Sequence, residues 1–595
     1  MSNSATMQRL KLWQYILGTI TAILILIPLW TIFVMVFVQP ESLMTKEKTM
    51  ESRLLWCVAG PVILVGLFAG SRWMMTSKNA NAQQQHTQVK IHQVVATDQS
   101  RREYVLEVIG LGVTLDKYRQ GELWAALQSG NPYASIREQD IKKYPWSDQE
   151  KSGISGGRGG DSLENGAQYT PMYYGVPVFN AEPPVHNARM TDTPDEPLVG
   201  LAGSAVSSGM AWHLFVVGPR RFDEHPDRIL DDVFAFFDAN PDVPYIVLNS
   251  DDSMESRDSY RPEGTPALVK DGYYIPEMPD SSTLLVLARR ERVDAVRPFV
   301  WDDPDNNFVQ NKFRMMYYDL VKTIPFPGRV VTRTPAQAAS DPAGNPANDG
   351  HERQPLVAEW LEGSAAFAQR PDIRGTGHVS LVNAVKNHWE HRPPKEWKPT
   401  PWFPIPWNKE QLATFDKLPT LGFIHRPTFV KFADEHGKPI TRRDERDKVL
   451  QAGWQAALLT LPEGERAGAP ALIVAATGDD SNQITMLHST LSSHAAHGGP
   501  EIDSGKSSQF IDTDKRLGNT GATTLFMQMA IGVMGSYRNG GISAAINLRD
   551  KNEASIVFIS PPPDDKRKSQ KHPRGGDVFA HHGTPAVDPA NYQQQ

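Results

Sequence analysis

A strand–helix–strand pattern that occurs twice constrains this chain more than any other feature, because each copy calls for parallel strands joined by a covering helix. The first copy runs from Leu214 to Ser253. Its opening strand is Leu214-Phe215-Val216-Val217, and a helix follows with Pro226 in its first turn. Ile229, Leu230, Val233, Phe236 and Phe237 fall on one face of that helix at core-facing spacing. Pro241 and Pro244 end it, and Tyr245-Ile246-Val247-Leu248 leads into Asp251-Asp252-Ser253. The second copy runs from Phe429 to Ser481. Val449, Leu450, Gly453, Ala456 and Ala457 repeat the spacing, and Leu472-Ile473-Val474-Ala475-Ala476 leads into Asp479-Asp480-Ser481. A hairpin is expected after each copy: Thr283–Leu287 with Val293–Val300, and Ile542–Leu548 with Ser555–Ser560. Two related α/β halves account for this, although a generic βαβ pattern met twice by chance would read the same way.

Ahead of the halves lie two uncharged runs. Leu12–Pro40 carries no charge, and Ile16–Val38 is long enough to cross a bilayer. A signal peptide fits badly, since the run is too long and no small-x-small cleavage site follows. Leu54–Ser71 is shorter and holds Gly66 and Gly70 at the spacing that lets helices approach closely. The expectation is a transmembrane hairpin over residues 1–78, with spans at about 16–38 and 54–73. Arg9, Lys11, Arg72 and Lys78 outside the connecting loop exceed Lys46, Lys48 and Arg53 inside it by one. That bias places both ends, and hence the body, in the cytoplasm of a multi-pass inner-membrane protein. If the second run does not span, the same N-terminus puts the body in the periplasm.

The fold class expected is therefore α/β: a transmembrane hairpin, then two related α/β domains, each with a strand–helix–strand unit and a later hairpin. The polar, glutamine-rich stretch within 79–103 reads as a tether, 104–333 as the first domain, and 334–355 as a flexible linker rich in Ala, Pro, Asn and Asp. The second domain covers 356–560 and contains a Pro/Trp-rich connector at 388–407, and 561–595 reads as a disordered tail with a basic cluster. Tyr104–Thr114 reads as a strand, Leu115–Gln128 as a helix, and Lys151–Gln168 as a Gly/Ser-rich loop. Gly175–Asn180 is too rich in proline for a central strand. Thr520–Tyr537 is uncharged and reads as a buried core helix in preference to a third span. Net charge −7 argues against nucleic acid as a partner. The only cysteine, Cys57, lies in the second apolar run, so cysteine-ligated zinc and disulfides are excluded from the body.

Catalytic patterns are present only in fragments. Gly153-Ile154-Ser155-Gly156-Gly157 fits Gly-x-Ser-x-Gly, but no apolar strand precedes it to raise Ser155 above a sheet. Gly505-Lys506-Ser507 lacks the upstream glycine of a phosphate-binding loop, where Pro500 stands instead. His388-Trp389-Glu390-His391 has the wrong spacing for a zinc protease, and His494 with His497 could share a helix face towards a metal. Asp251, Asp252, Asp479 and Asp480 sit beyond the carboxyl ends of inferred strands, where α/β folds place ligands. Paired carboxylates there could hold Mg²⁺ or act as acid and base; they could equally cap helices and make Asx turns. No catalytic residue, resident metal or cofactor is assigned. Trp397, Trp402 and Trp407 in the proline-rich connector either cover a core or form an exposed recognition surface.

With Tyr104–Trp124, Gly175–Asn180 and the two strand–helix–strand units assembled, the body over roughly 100–560 resembles the proteobacterial type VI lipase adapter protein family. The resemblance implies a non-enzymatic adapter. Such an adapter binds a phospholipase effector in the cytoplasm and hands it to the spike protein (VgrG) of the type VI secretion machine. It supplies no catalytic residues. Two other classes stay open beside it: a membrane-anchored hydrolase or metal-dependent enzyme using the Asp-Asp-Ser strand ends, and an immunity protein against the lipase.

Overall fold

The computed structural model describes residues 105–145, 156–171, 176–183, 198–201, 215–218, 220–222, 225–254, 257, 268–274, 277–301, 357–369, 394, 396–400, 402–403 and 405–582. The expected membrane spans, the tether, the linker over 334–355 and the histidines at 388 and 391 lie outside them. Among the described residues no helix is long and apolar enough to cross a membrane.

The principal strands of the first half are β1 (Val105–Leu115), β2 (Val176–Glu182), β3 (Leu198–Leu201), β4 (Phe215–Gly218), β5 (Tyr245–Asp252) and β6 (Ser281–Ala288). Those of the second are β7 (Gly422–His425), β8 (Thr428–Lys431), β9 (Leu472–Ala476), β10 (Phe510–Asp512), β11 (Ser543–Asn547) and β12 (Glu553–Ser560). They join one mixed sheet in the order β10-β9-β11-β12-β7-β1-β6-β5-β2-β4-β3, with β8 continuing the line of β7 along β12. Counted outward from the centre, the first half runs β1, β6, β5, β2, β4, and the second runs β7 with β8, then β12, β11, β9, β10. In both, the strand next to the innermost (β6 and β12) is antiparallel to its neighbours, and the three beyond it are mutually parallel; β3 is an extra antiparallel edge. The halves meet where β1 pairs antiparallel with β7, Val105 opposite His425 and Val108 opposite Gly422.

The strand order is thus duplicated, but the two sequence units are not equivalents. The unit from Leu214 joins β4 to β5, whose counterparts in the other half are β10 and β11, and the unit from Phe429 joins β8 to β9, whose counterparts are β1 and β2. The hairpin at β11–β12 is present. Its expected counterpart is not: after β6 the chain forms 3-10 turns at Arg290–Ala295 and Arg297–Phe299. The reason is that β6 is already flanked on both sides, by β1 and β5, and Pro298 has no N–H to give a ladder.

Helices complete the layers: α1 (Gln120–Gln128), α2 (Gly156–Ala167), α3 (Ile229–Ala239), α4 (Lys409–Asp416), α5 (Arg443–Leu458), α6 (Ser481–Ala496), α7 (Thr513–Leu517), α8 (Thr524–Asn539) and α9 (Asp564–Ser569). Alternation along β9 sets two faces. Ile473 and Ala475 pack under α5 and α6 with Trp454, Leu487 and Leu491, whereas Leu472 and Val474 join the larger core around α8. Residues Thr524 through Tyr537 of α8 are all buried, as the uncharged run predicts.

Three local expectations are corrected. Lys151–Gln168 is not all loop, because α2 occupies Gly156–Ala167. Glycines on both sides let it sit against β1: a Cβ on Gly112 of β1 would lie 1.8 Å from the Ser162 carbonyl oxygen, and one on Gly166 of α2 2.9 Å from the Gly112 nitrogen. Val176–Glu182 is an interior strand despite Pro177, because the ladder to β5 begins only at Val178 and asks nothing of the proline nitrogen. Residues 561–582 are not a disordered tail. They form α9 and then bury Val578 and Phe579, the latter 5.2 Å edge-on to Tyr537.

Candidate functional site at the junction of the halves

The strand-end carboxylates are the natural place to look for chemistry, and the fold gives each a structural partner. Asp252, the last residue of β5, is buried and ion-paired to Arg257, and it accepts a hydrogen bond from the Ala522 N–H at the entry to α8. Burial pushes its pKa up, against the opposing pull of Arg257 and of that N–H. Arg257 in turn donates to the Asn519 carbonyl at 3.0 Å. Gly521, at φ 54, lies so close that a Cβ there would stand 1.8 Å from Asp252 Oδ2. Beside it, the hydroxyls of Ser281 and Thr523 are 2.7 Å apart. Asp252 therefore clamps the first turn of the second half's core helix, where a carboxylate also meets the positive end of the helix. Asp251 is half-buried next to it.

The other pair is more open. Asp480 caps α6, accepting from the Asn482 N–H at 2.8 Å, and lies 3.4 Å from Lys551 Nζ. That N–H bond, ahead of Lys551, lowers its pKa. Asp479 is exposed and left-handed at φ 55, directly after Gly478 at φ 64. The loop that carries both is fastened by Asp514, whose carboxylate accepts the N–H groups of Thr477 and Gly478 at 2.6 Å each and pairs with Arg549. Among the described residues no three of His, Cys, Asp and Glu gather as metal ligands.

A carboxylate not singled out in the sequence also faces the junction. Asp227, in the 3-10 turn before α3, is buried against the second half, where Asn547 Nδ2 donates to it at 2.9 Å and Ser555 Oγ at 2.7 Å. Burial raises its pKa to about 6. Its neighbour Arg228 reaches Glu553 at 2.7 Å and lies over the Phe429 ring at 4.2 Å. Its partners stand more than 300 residues away, so nothing local in sequence marks Asp227.

The connector tryptophans turn inward. Trp402 is 5% exposed, donates through Nε1 to Asn240 Oδ1 at 2.9 Å and meets Phe236 edge-on at 5.3 Å. Trp407 is 1% exposed, among Tyr245, Phe403 and Phe415. Trp397 is partly buried, donates to the Phe403 carbonyl at 3.1 Å and lies 5.2 Å from Phe299. The proline-rich path is thus fastened to the first half through its indoles.

Ser155 lies outside the described residues, one position before α2. His494 is buried and spends Nε2 on the Ala469 carbonyl at 2.9 Å, while His497 is exposed, with Nδ1 2.7 Å from the Ser493 carbonyl oxygen. Lys506 makes an exposed pair with Asp503. A cavity of about 30 Å³ opens between Gln120, Asn165, Tyr169, Thr170, His572 and Val578. It has room for about one water molecule and none for a lipid or nucleotide.

Residues 104–271 match the type VI lipase adapter protein Tla3, N-terminal family, and residues 421–561 match the type VI lipase adapter protein Tla3, C-terminal family. Among solved structures, a ketosynthase from module 1 of the bacillaene synthase of Bacillus amyloliquefaciens FZB42 is similar over 78% of this chain and 77% of its own, at 9% identity and TM-score 0.34. The ishigamide ketosynthase/chain length factor is similar over 76% and 99%, at 9% identity and TM-score 0.36. A single-residue variant of OleA of Xanthomonas campestris is similar over 77% and 99%, at 10% identity and TM-score 0.31. At these scores the likeness carries no argument about chemistry.

Proposed function

This chain belongs to the type VI lipase adapter protein family, and we propose that it acts by binding alone, holding a type VI phospholipase effector and presenting it to the spike protein VgrG. The family match carries this reading. The geometry that supports it is the use made of the strand-end carboxylates, with Asp252 clamping α8 and Asp480 capping α6. In this reading the apolar runs at 16–38 and 54–73 hold the protein in the inner membrane, with the body on the cytoplasmic side, where an effector is loaded before export.

Affinity capture from cells with the full chain as bait, followed by identification of what stays bound, tests the reading. A type VI phospholipase should be retained, and deleting the chain should abolish export of that enzyme. Changing Asp251, Asp252, Asp479, Asp480 or Ser155 should not abolish export in any variant that still folds. A purified chain that hydrolyses a lipid or phosphoester, and loses this activity with Asp479→Asn and Asp480→Asn, would overturn it in favour of an enzyme.

A further inference from the structure

After α9 the chain doubles back across the junction of the halves. Gln570 bonds the N–H and the carbonyl of Thr420, in the second half, at 2.6 and 3.0 Å. Farther on, the Phe579 carbonyl accepts the Gly121 N–H at 3.0 Å and the His582 N–H reaches Asn165 Oδ1 at 3.0 Å, both in the first half. Residues 571–582 contain no helix or strand. They turn through two successive left-handed glycines, Gly575 at φ 89 and Gly576 at φ 78, and roof the small cavity with His572, Pro573, Val578 and Ala580. Leu111, Leu418 and Leu421 line it below. A segment held by a few anchors, with two glycines in its middle, can come away without unfolding what lies beneath it.

This segment carries His572, His581 and His582, and the geometry requires them neutral. His572 Nδ1 accepts the Arg574 backbone N–H at 3.2 Å, so a second proton on the ring removes that acceptor. The His572 ring lies 4.1 Å from the His582 ring, and Tyr169 meets it edge-on at 5.6 Å. His581 and His582 each bury Nε2 with no hydrogen-bond partner among the described residues, so a proton there would be both charged and unsolvated. Burial, then His582 and Arg574, push the His572 pKa down to about 4. His581 and His582 are lowered as well, chiefly by burial. The surrounding charges do little to offset an added proton. Arg574 donates to Tyr169 and Gln168 beside the stacked rings, and Arg119 of α1 faces His581. Two carboxylates are already paired: Asp161 of α2 with Arg119 at 2.7 Å, and Asp577 with Arg538 of α8 at 2.6 Å. Glu122 of α1 faces His581, and Glu164 of α2 faces Arg574.

We propose that residues 571–582 are a detachable strap, latched across the two halves by neutral imidazoles and released when His572 and His582 take up protons. A histidine in the lifted strap titrates near the ordinary 6.5. The latched pKa lies below that value, so latching is complete above pH 6.5 and is lost as pH falls. Each such histidine shifts the balance towards release about 10-fold per pH unit until its latched pKa is reached. Lifting the strap uncovers the apolar groove at Leu111, Leu418 and Leu421. The strap works in the same way whatever the chain binds.

The test follows backbone hydrogen exchange in the full chain in nanodiscs, each rate divided by that of an unstructured peptide at the same pH. Between pH 7.5 and 5.5 the protection of residues 577–582 and of the Gly121 amide should fall about 10-fold or more, while that of β9 holds. His572→Asn combined with His582→Phe keeps an acceptor near Nδ1 and a stacked ring but removes both protons, and it should abolish most of the fall. If that double variant melts early, His582→Phe alone replaces it and should show a smaller fall than the unaltered chain. Unchanged protection of the unaltered chain at pH 5.5, or an equal fall in the histidine variants, overturns the proposal. A parallel loss at β9 also overturns it, because the whole body is then opening and not the strap. Local exchange is read in place of a melting temperature because the buried Asp227 moves global stability the other way over the same range.

Discussion

Asp227 of the first half accepts a hydrogen bond from Asn547 of the second at 2.9 Å, deep in the junction between them. This is a carboxylate placed where its charge is disfavoured: burial holds its pKa at about 6 against an ordinary 3.8. Because the folded pKa lies above the unfolded one, the folded state takes up a proton more readily, and stability is gained as pH falls from above 6 towards 4.

Asp227→Asn should flatten that dependence. The difference in melting temperature between variant and unaltered chain should favour the variant at pH 7.5, by an amount worth about 2–3 kcal/mol at most, and shrink towards pH 4. Scanning calorimetry across this range checks it. Parallel pH curves for the two proteins would show that Asp227 is not the group responsible.

Gly521→Ala should be among the most damaging single-methyl changes in the chain. The new Cβ would stand 1.8 Å from Asp252 Oδ2, at a φ of 54 that alanine also resists. A loss of about 2–4 kcal/mol is expected. Combining it with Asp252→Ala removes the clashing carboxylate, so the double variant should lose less than the sum of the two single changes. Additive losses in denaturant melts would mean that the two do not meet.

Trp407→Ala should act on the fold and not on a partner. The indole is 1% exposed among three aromatic rings, and its Nε1 has no hydrogen-bond partner in the described structure. Truncation should cost about 3–5 kcal/mol, and Trp407→Phe, which loses no bond, markedly less. Unaltered stability combined with weakened lipase capture would return Trp407 to the role of an exposed anchor.

Alkaline phosphatase joined after Lys90 should be inactive and a fluorescent protein bright if both apolar runs span the inner membrane with the body inside. The opposite pattern would put the body in the periplasm and remove it from the compartment where effectors are loaded.

Features with local causes were legible in the sequence. The uncharged run at Thr520–Tyr537 became the buried α8, and the turn between β11 and β12 lies where the hairpin was expected. Features decided by distant neighbours were not. The glycine-rich α2 read as a loop because the β1 backbone against which Gly166 packs lies more than 40 residues upstream. Pro177 argued against an interior strand because the register that spares its nitrogen is set by β5. The repeat was visible as two similar units, yet their non-equivalence follows only from strand order, which no local spacing contains. At the junction Asp252 was found through its place at a strand end, and Asp227 was missed because Asn547 and Ser555 define it.

The seam between β1 and β7 has a consequence during synthesis. Val105–Val108 leaves the ribosome about 300 residues before the strand that will cover it, so a long interval passes with that border open. An open strand border is a template for other chains, and the same border on a second nascent copy offers a ready mispairing. Correct assembly is then a race between completing the polypeptide and meeting another unfinished one. A ribosome stalled before Gly422, or a product cut short there, would leave a sticky half-molecule and no usable protein.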